Sequence, residues 1–303
     1  MEVLHTSRTN TGVWYGIAAH VAWGLSPIYW KQLAQVPAQL LIAHRVIWST
    51  LTLAVLILLF HRRYRFTSRN LSVPIARSSA VAALLICTNW FIFVWAVTAG
   101  FIVEASLGYF ITPLVSVGLG VIVLQERLRR WQWIAVGLAT IGLVYLATAL
   151  ERLPWIAVVL AGTFGTYGLV KKTTPISALP GLIIETSFLC LPAAAILLWW
   201  PSYVTTTTSD GYLEFPLLAS SGIITVLPLV LFSASAQRIP LAHLGIIQYL
   251  APTLQFLLGL LLYDEPFNRT QFVGFGLVWV AVSLAGFEGL LAHRAEHLRE
   301  QNE

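Results

Sequence analysis

The sequence predicts an all-α integral membrane protein of ten transmembrane helices, arranged as two inverted five-helix repeats. Three observations carry that prediction. Apolar runs recur along the whole chain, basic residues fall almost entirely on one side of them, and the two halves of the chain match at a fixed offset.

Of the 303 residues, 57% are apolar and 10% are charged, whereas a soluble chain carries about a quarter charged residues. A bilayer core of about 30 Å takes about 20 mostly apolar residues per helical crossing. Ten segments fit: Gly12–Trp30, Ala38–Phe60, Ala80–Ala99, Val103–Gln125, Trp131–Leu150, Pro154–Val170, Ala178–Trp200, Phe215–Ala236, Leu241–Tyr263 and Gln271–Leu291. The first segment follows a polar start and lacks a small-residue cleavage site, so it is expected as a retained helix. The connections are short. Only His61–Ser79 and the Thr-rich Ser202–Glu214 have any length.

With the N-terminus inside, Arg8, Arg62, Arg63, Arg65, Arg69, Arg77, Arg127, Arg129, Arg130, Lys171, Lys172, Arg238, Arg294 and Arg299 fall on the cytoplasmic side. Only Lys31, Arg152 and Arg269 fall outside. This asymmetry predicts a multi-pass membrane protein with an even number of crossings and both termini cytoplasmic. It also explains the net charge of +5 without nucleic acid, because no basic domain stands outside the spans. Cys87 and Cys190 lie within apolar spans, without metal-ligand spacing, and read as packing residues.

The halves correspond residue by residue. Pro113, Gly120, Glu126, Arg130, Gln132 and Gly137 match Pro252, Gly259, Glu265, Arg269, Gln271 and Gly276, each pair 139 residues apart. Trp23-Gly24 and Lys31 match Phe164-Gly165 and Lys172 at a spacing of 141. Residues 1–150 therefore form one repeat and 151–303 the other, with a short tail. Five spans per repeat is odd, so the second must sit upside down. Inverted repeats are the physical basis of alternating access.

Leu41-Ile42-Ala43-His44-Arg45, Glu104-Ala105-Ser106-Leu107-Gly108-Tyr109-Phe110, Leu124-Gln125-Glu126-Arg127-Leu128 and Trp131-Gln132-Trp133-Ile134-Ala135 resemble the RarD group of EamA-type permeases, in the drug/metabolite transporter superfamily. The resemblance runs from about Gly12 to Gly289. It implies a ten-helix bacterial inner-membrane protein with a traditional link to chloramphenicol sensitivity, which defines no substrate. The second half departs most, with Tyr263-Asp264-Glu265-Pro266 where the first has Leu-Gln-Glu-Arg.

Taken span by span, the polar residues give the candidates. The first carries Gly12, Gly16, His20 and Gly24 at steps of four, a small-residue face for close helix approach, and Trp23. The second carries His44 and Arg45, the third Asn89 and Trp90. The fourth carries Glu104, Tyr109 and Pro113. Gly162, Gly165 and Gly168 mark the sixth as a second packing face, and Glu185 lies in the seventh. The ninth holds His243, Gln248, Tyr249 and Pro252.

Ionisable groups at depth are costly and face a bundle interior or a wet cavity. The repeat aligns Glu104 with His243 and His44 with Glu185, swapping sign in both pairs. His44 or Arg45 is expected near Glu104 at the outer mouth, and Glu185 near His243 at the inner mouth. These pairs are either gates and substrate anchors, or static ion pairs for packing. Asn89, Tyr109, Gln248 and Tyr249, with Trp23 and Trp90, are expected around a central cavity. Trp14, Tyr15 and Trp95 serve either there or in an interfacial belt. Pro113 and Pro252 each free a backbone carbonyl one turn earlier and act as hinges or static kinks.

The chain holds no GxxxxGK[ST], HExxH or GxSxG, so no ATP-driven step, metal, cofactor or catalytic role is expected. The expected function is secondary transport of a small organic metabolite or drug-like solute by alternating access. The expected partners are that solute and the lipid bilayer, the protein acting as a monomer or homodimer. A membrane-embedded enzyme and a non-transporting scaffold are the alternatives.

Overall fold

The computed structural model describes residues 2–60, 72–99, 101–148, 154–199, 214–263 and 269–300. Among these all regular structure is helical. The helices are α1 (Glu2–Trp30), α2 (Ala38–Leu59), α3 (Val73–Thr98), α4 (Ile102–Ile122), α5 (Arg130–Thr148), α6 (Trp155–Thr173) and α7 (Ala178–Trp199). They continue with α8 (Glu214–Ala236), α9 (Leu241–Gln248), α10 (Leu250–Leu262) and α11 (Arg269–Glu300). A short 3-10 turn, Lys31–Leu33, follows α1. Arg62, Arg63, Arg65, Arg69, Arg152, most of the Thr-rich connection and Glu265 lie outside the described residues.

Prolines set several starts. Pro37, Pro154 and Pro240 stand directly before α2, α6 and α9. There a residue without an N–H costs nothing, because the first helical amides have no intrahelical acceptor.

Seven helical stretches are long and apolar enough to cross a membrane: Ala38–Leu59, Val73–Ala96, Glu104–Ile122, Arg130–Thr148, Ala178–Trp199, Phe215–Ala236 and Leu241–Leu262. The last joins α9 and α10. The outer surface agrees. Leu58, Leu191, Leu198 and Leu261 are between 72% and 82% exposed, which suits hydrocarbon and not water. The protein is a multi-pass membrane protein.

α4 is the most interior stretch, with half of its apolar window buried. It packs on α6 and α9. α5 packs on α11, α2 on α7 and α8, α1 on α8 and α10, and α3 on α6 and α7. Exchanging α1 with α6, α2 with α7, α3 with α8, α4 with α9–α10 and α5 with α11 carries this set of neighbours onto itself. The correspondence reaches single residues. A Cβ on Gly24 would stand 2.7 Å from Cβ of Leu254, and one on Gly165 would stand 2.6 Å from Cγ1 of Val115. Gly24 and Gly165 stand 141 residues apart and Val115 and Leu254 139 apart, the spacings at which the two halves match in sequence.

The α1 face behaves as its spacing predicts: Gly12 meets Ile239, Gly16 meets Ser235, and Gly24 meets Leu254. The α6 face does so only in part. A Cβ on Gly162 would meet nothing within 4 Å. Steps of three fall short of a full turn of 3.6 residues, so Gly162 rotates off the stripe that Gly165 and Gly168 share. The third helix also starts at Val73, earlier than the apolar run alone indicates.

Candidate functional site

A cavity of about 400 Å³ lies among α1, α2, α3, α4, α6, α8 and the α9–α10 pair. That size is within the ordinary range for small-molecule sites. Its walls come from one end of the bundle. They run from His20 to Trp30 on α1, from Leu41 to Arg45 on α2, from Ile86 to Val94 on α3, and from Gln248 to Gln255 across the α9–α10 junction.

Most of the expected cavity residues are there. Asn89, Tyr109, Gln248, Trp23 and Trp90 all line it, and so do Arg45 and Pro252. Asn89 is 1% exposed and donates through Nδ2 to the Leu160 carbonyl and to Thr163 Oγ1, both at 3.0 Å. This fixes α3 on α6. Gln248 Oε1 accepts from Ser116 Oγ at 2.9 Å, which leaves Nε2 buried without a partner. His20 holds the Gly16 carbonyl through Nδ1 at 2.7 Å, and its Nε2 has no partner.

Tyr249 is a correction. It belongs to the neighbouring apolar cluster with Phe110 and Val278, and it does not line the cavity. Gln248 already points to the cavity, and adjacent residues on a helix point about 100° apart. Trp14 and Trp95 are surface residues, 67% and 38% exposed, and Tyr15 stacks under the Arg238 guanidinium.

Pro252 coincides with a break. α9 ends at Gln248 and α10 begins at Leu250, with Tyr249 turning between them. Pro113 lies inside a helix that continues through it. Each proline removes the N–H that would bind the carbonyl four residues earlier. Those carbonyls belong to Tyr109 and Gln248, whose side chains line the cavity.

Both expected charge pairs have other partners. Arg45 does not reach Glu104. Its Nε donates to Thr225 Oγ1 at 3.1 Å, and its guanidinium lies between the rings of Trp30 and Trp90, 4.5 and 4.3 Å from their centroids. Glu104, 1% exposed, instead accepts from the backbone N–H of Ile156 at 2.9 Å, at the start of α6. A carboxylate is well placed at a helix N-terminus. Glu185 pairs with Lys171 Nζ at 2.5 Å and accepts from Tyr167 Oη at 3.3 Å. Lys171 is only 3% exposed, because α6 runs on through Thr173 and carries it into the bundle. His243 meets Gln132 at 3.1 Å between the two side-chain nitrogens. His44 is half-buried on α2 and does not line the cavity.

Lys171, Glu185, His243 and Gln132 lie toward the end of the bundle opposite the cavity, where a further set of contacts closes it. Gln125 adopts a left-handed backbone conformation (φ 55°), which turns the chain back after α4 and brings the Glu126 N–H onto the Gly120 carbonyl at 3.0 Å. The Glu126 carboxylate then accepts from the backbone N–H groups of Leu241 and Ala242, both at 2.8 Å, at the first turn of α9. A Cβ on Gly120 would lie 2.6 Å from Glu126 Oε2, so glycine keeps that seat open. Lys172 Nζ lies 3.7 Å from Glu126 Oε1 and donates to the Ile239 carbonyl at 2.6 Å. Gln237 donates to the Ile176 carbonyl at 2.7 Å.

Sequence reasoning missed Trp30, Phe93, Phe164, Thr225 and Gln255 in the cavity wall. Gln255 alone carried a signal, as an amide within the apolar run after Pro252.

The EamA-like transporter family matches residues 10–148. A protein named RarD from Streptomyces exfoliatus is 42% identical over 97% of this chain and 93% of its own length. A protein named RarD from Escherichia coli (strain K12) is 39% identical over 96% of this chain and 99% of its own. A Bacillus subtilis protein, the uncharacterized transporter YojE, is 39% identical over 95% and 98%. A crystal structure of a protein superposes with a TM-score of 0.66 over 91% of this chain and 97% of that one. It is 16% identical, so that likeness bears on the fold alone.

Proposed function

The chain belongs to the RarD group of the EamA-like transporter family, and from that premise we propose that it is a secondary transporter of a small organic solute, working by alternating access across the bacterial inner membrane. The observation that carries the mechanism is the cavity between the halves, which both halves line with equivalent residues, Tyr109 from one and Gln248 from the other.

In this reading α1–α5 and α6–α11 are two inverted repeats of five spans, α9 and α10 together making one span. The neighbour exchange described above supports it, since a two-fold relation between halves produces that pattern. The basic asymmetry of the loops supports an arrangement with both termini cytoplasmic.

That orientation puts the cavity in the outer half of the bundle and the Glu126, Lys172, Lys171 and Glu185 contacts at the inner end. The structure is then the outward-facing state with its inner end shut. The mixed aromatic and amide wall, with Trp23, Trp90, Asn89 and Gln248, suits an amphipathic or aromatic solute over a bare inorganic ion. The test is flux into proteoliposomes against a panel of small metabolites. Saturable uptake whose apparent affinity falls several-fold on substituting Tyr109 or Gln248 supports the proposal. Unsaturated leakage, equal with and without protein, rejects it.

A further inference from the structure

We propose that the transported solute is a carboxylate on a compact apolar body, with its carboxylate seated on Arg45 between Trp30 and Trp90. This deepens the transporter reading and rests on it. Among the described residues that line the cavity, Arg45 is the only lysine or arginine, and no aspartate or glutamate lines it. The wall therefore carries one permanent charge, and it is positive.

The geometry around that charge is that of a prepared site. Thr225 takes only Nε, and the two terminal nitrogens of the guanidinium make no hydrogen bond to another described residue. The rings of Trp30 on α1 and Trp90 on α3 lie 4.5 and 4.3 Å from the guanidinium carbon. An aromatic clamp steadies a guanidinium without using its in-plane donors. Those donors match the two oxygens of a carboxylate. A lysine in the same place would offer a point charge with no plane to select by.

Two further groups lie on the same wall. Gln248 Nε2 is a buried donor without a partner, on a side chain 3% exposed, and Oε1 of the same amide is occupied by Ser116. His20 Nε2 is likewise buried and unpartnered. Buried donors and acceptors are normally satisfied, so a polar solute that reaches them completes their bonding. Much of the remaining wall is apolar or aromatic, including Phe93, Phe164 and Leu229, with Asn89, Thr112 and Gln255 among it, and it fits an apolar body in place of a bare anion.

Equilibrium dialysis of the detergent-purified protein tests this with three probes that share one body: 3-phenylpropionate, 3-phenylpropanamide and 3-phenylpropylamine. Inorganic phosphate is a fourth probe, an anion without a body. The expected order has the carboxylate at least tenfold tighter than the amide, with the amine and phosphate weakest. Arg45→Gln should bring the carboxylate down to the level of the amide and leave the amide unchanged. Arg45→Lys keeps the charge but loses the fork, and should recover only part of the preference.

Equal binding of carboxylate and amide, preference for the amine, tight phosphate binding or no binding by any probe each overturns the inference. The wild-type comparison of head groups needs no variant to fold. Uptake into proteoliposomes separates this inference from the one beneath it. Arg45-dependent binding of 3-phenylpropionate without flux rejects transport and leaves the anion site standing. Saturable flux of the amine or amide, with no carboxylate preference, rejects the anion site and leaves transport standing.

Discussion

Tyr109 and Gln248, 139 residues apart in the sequence, line one cavity from α4 and from the end of α9. Each sits four residues before a proline. Each of the two helices therefore loses one backbone hydrogen bond at the matching position, though only the one before Pro252 is interrupted there.

The first prediction concerns these two side chains. Gln248→Leu removes the acceptor of Ser116 and the unpartnered Nε2 together. Tyr109→Phe removes one hydroxyl. A hydrogen bond contributes about 0.5–1.5 kcal/mol net, so each change should lower solute affinity by roughly threefold to tenfold. Thermal melting in detergent should move little. A large loss of melting temperature with unchanged affinity would make both residues structural.

The second prediction concerns packing. Gly24→Leu and Gly165→Leu each force atoms into a space where Leu254 or Val115 already stands within 2.7 Å of the new Cβ. Overpacking of this kind costs about 1–3 kcal/mol. Gly162→Ala should be neutral or mildly stabilising, because its Cβ meets nothing and alanine is the better helix former by about 1 kcal/mol. Melting curves of the three variants decide it. Equal destabilisation by all three would show that glycine matters on α6 for some reason other than contact.

The third prediction concerns the buried pair of Lys171 and Glu185. Removing one partner strands the other, at a cost of about 3–5 kcal/mol. Glu185→Leu should thus be severely destabilising, and Lys171→Met with Glu185→Leu should recover most of the loss. Glu104→Arg with Arg45→Glu should show no recovery, since those two groups hold different partners. Recovery in the second double variant, and none in the first, would reverse this assignment.

How much of this was legible in the sequence depended on what each residue had to find. Asn89 was placed at the cavity by depth, and Tyr109 and Gln248 by depth together with their matching positions before a proline, because a polar group far from water needs a cavity or a partner. Trp23 and Trp90 came from an aromatic set of which Trp14, Tyr15 and Trp95 do not line the cavity. Charge partners needed more. Lys171 looks like a loop residue, and only the extra turn of α6 through Thr173 buries it beside Glu185. Arg45 was matched to Glu104 by opposite sign, but two indole rings on α1 and α3 had already taken its faces, and which helices flank α2 is not written in its own sequence. Glu104 and Glu126 found backbone amides at helix starts. No pairing of side chains by charge can anticipate that.

The fourth prediction uses the repeat. Lys172 and Glu126 correspond to Lys31 and Glu265. In this structure Lys31 lies over the ring of Tyr263, 3.3 Å from its centroid, and Glu265 lies outside the described residues. We expect Lys31 and Glu265 to pair in the opposite, inward-facing state. Short cross-linking reagents joining cysteines at 126 and 172, in a background with Cys87 and Cys190 replaced by serine, should stop flux while leaving solute binding from outside intact. Cross-links between 31 and 265 should stop flux and abolish binding from outside. The same effect from both cross-links would refute the exchange of the two pairs between states.

The carboxylate of Glu126 belongs to the connection between α4 and α5, yet both its oxygens hold the first turn of α9. Any movement that parts these segments must break two charge-assisted hydrogen bonds together before this end of the bundle yields. The clamp is remote from the cavity. In the proposed transport cycle it acts on how fast the molecule turns over, separately from how tightly it binds. Glu126→Gln, which keeps the shape and weakens the acceptor, should change maximal velocity while the half-saturating concentration of external solute stays near its original value. The pace of the cycle would then be fixed by two amides and one glutamate at the inner end of the bundle.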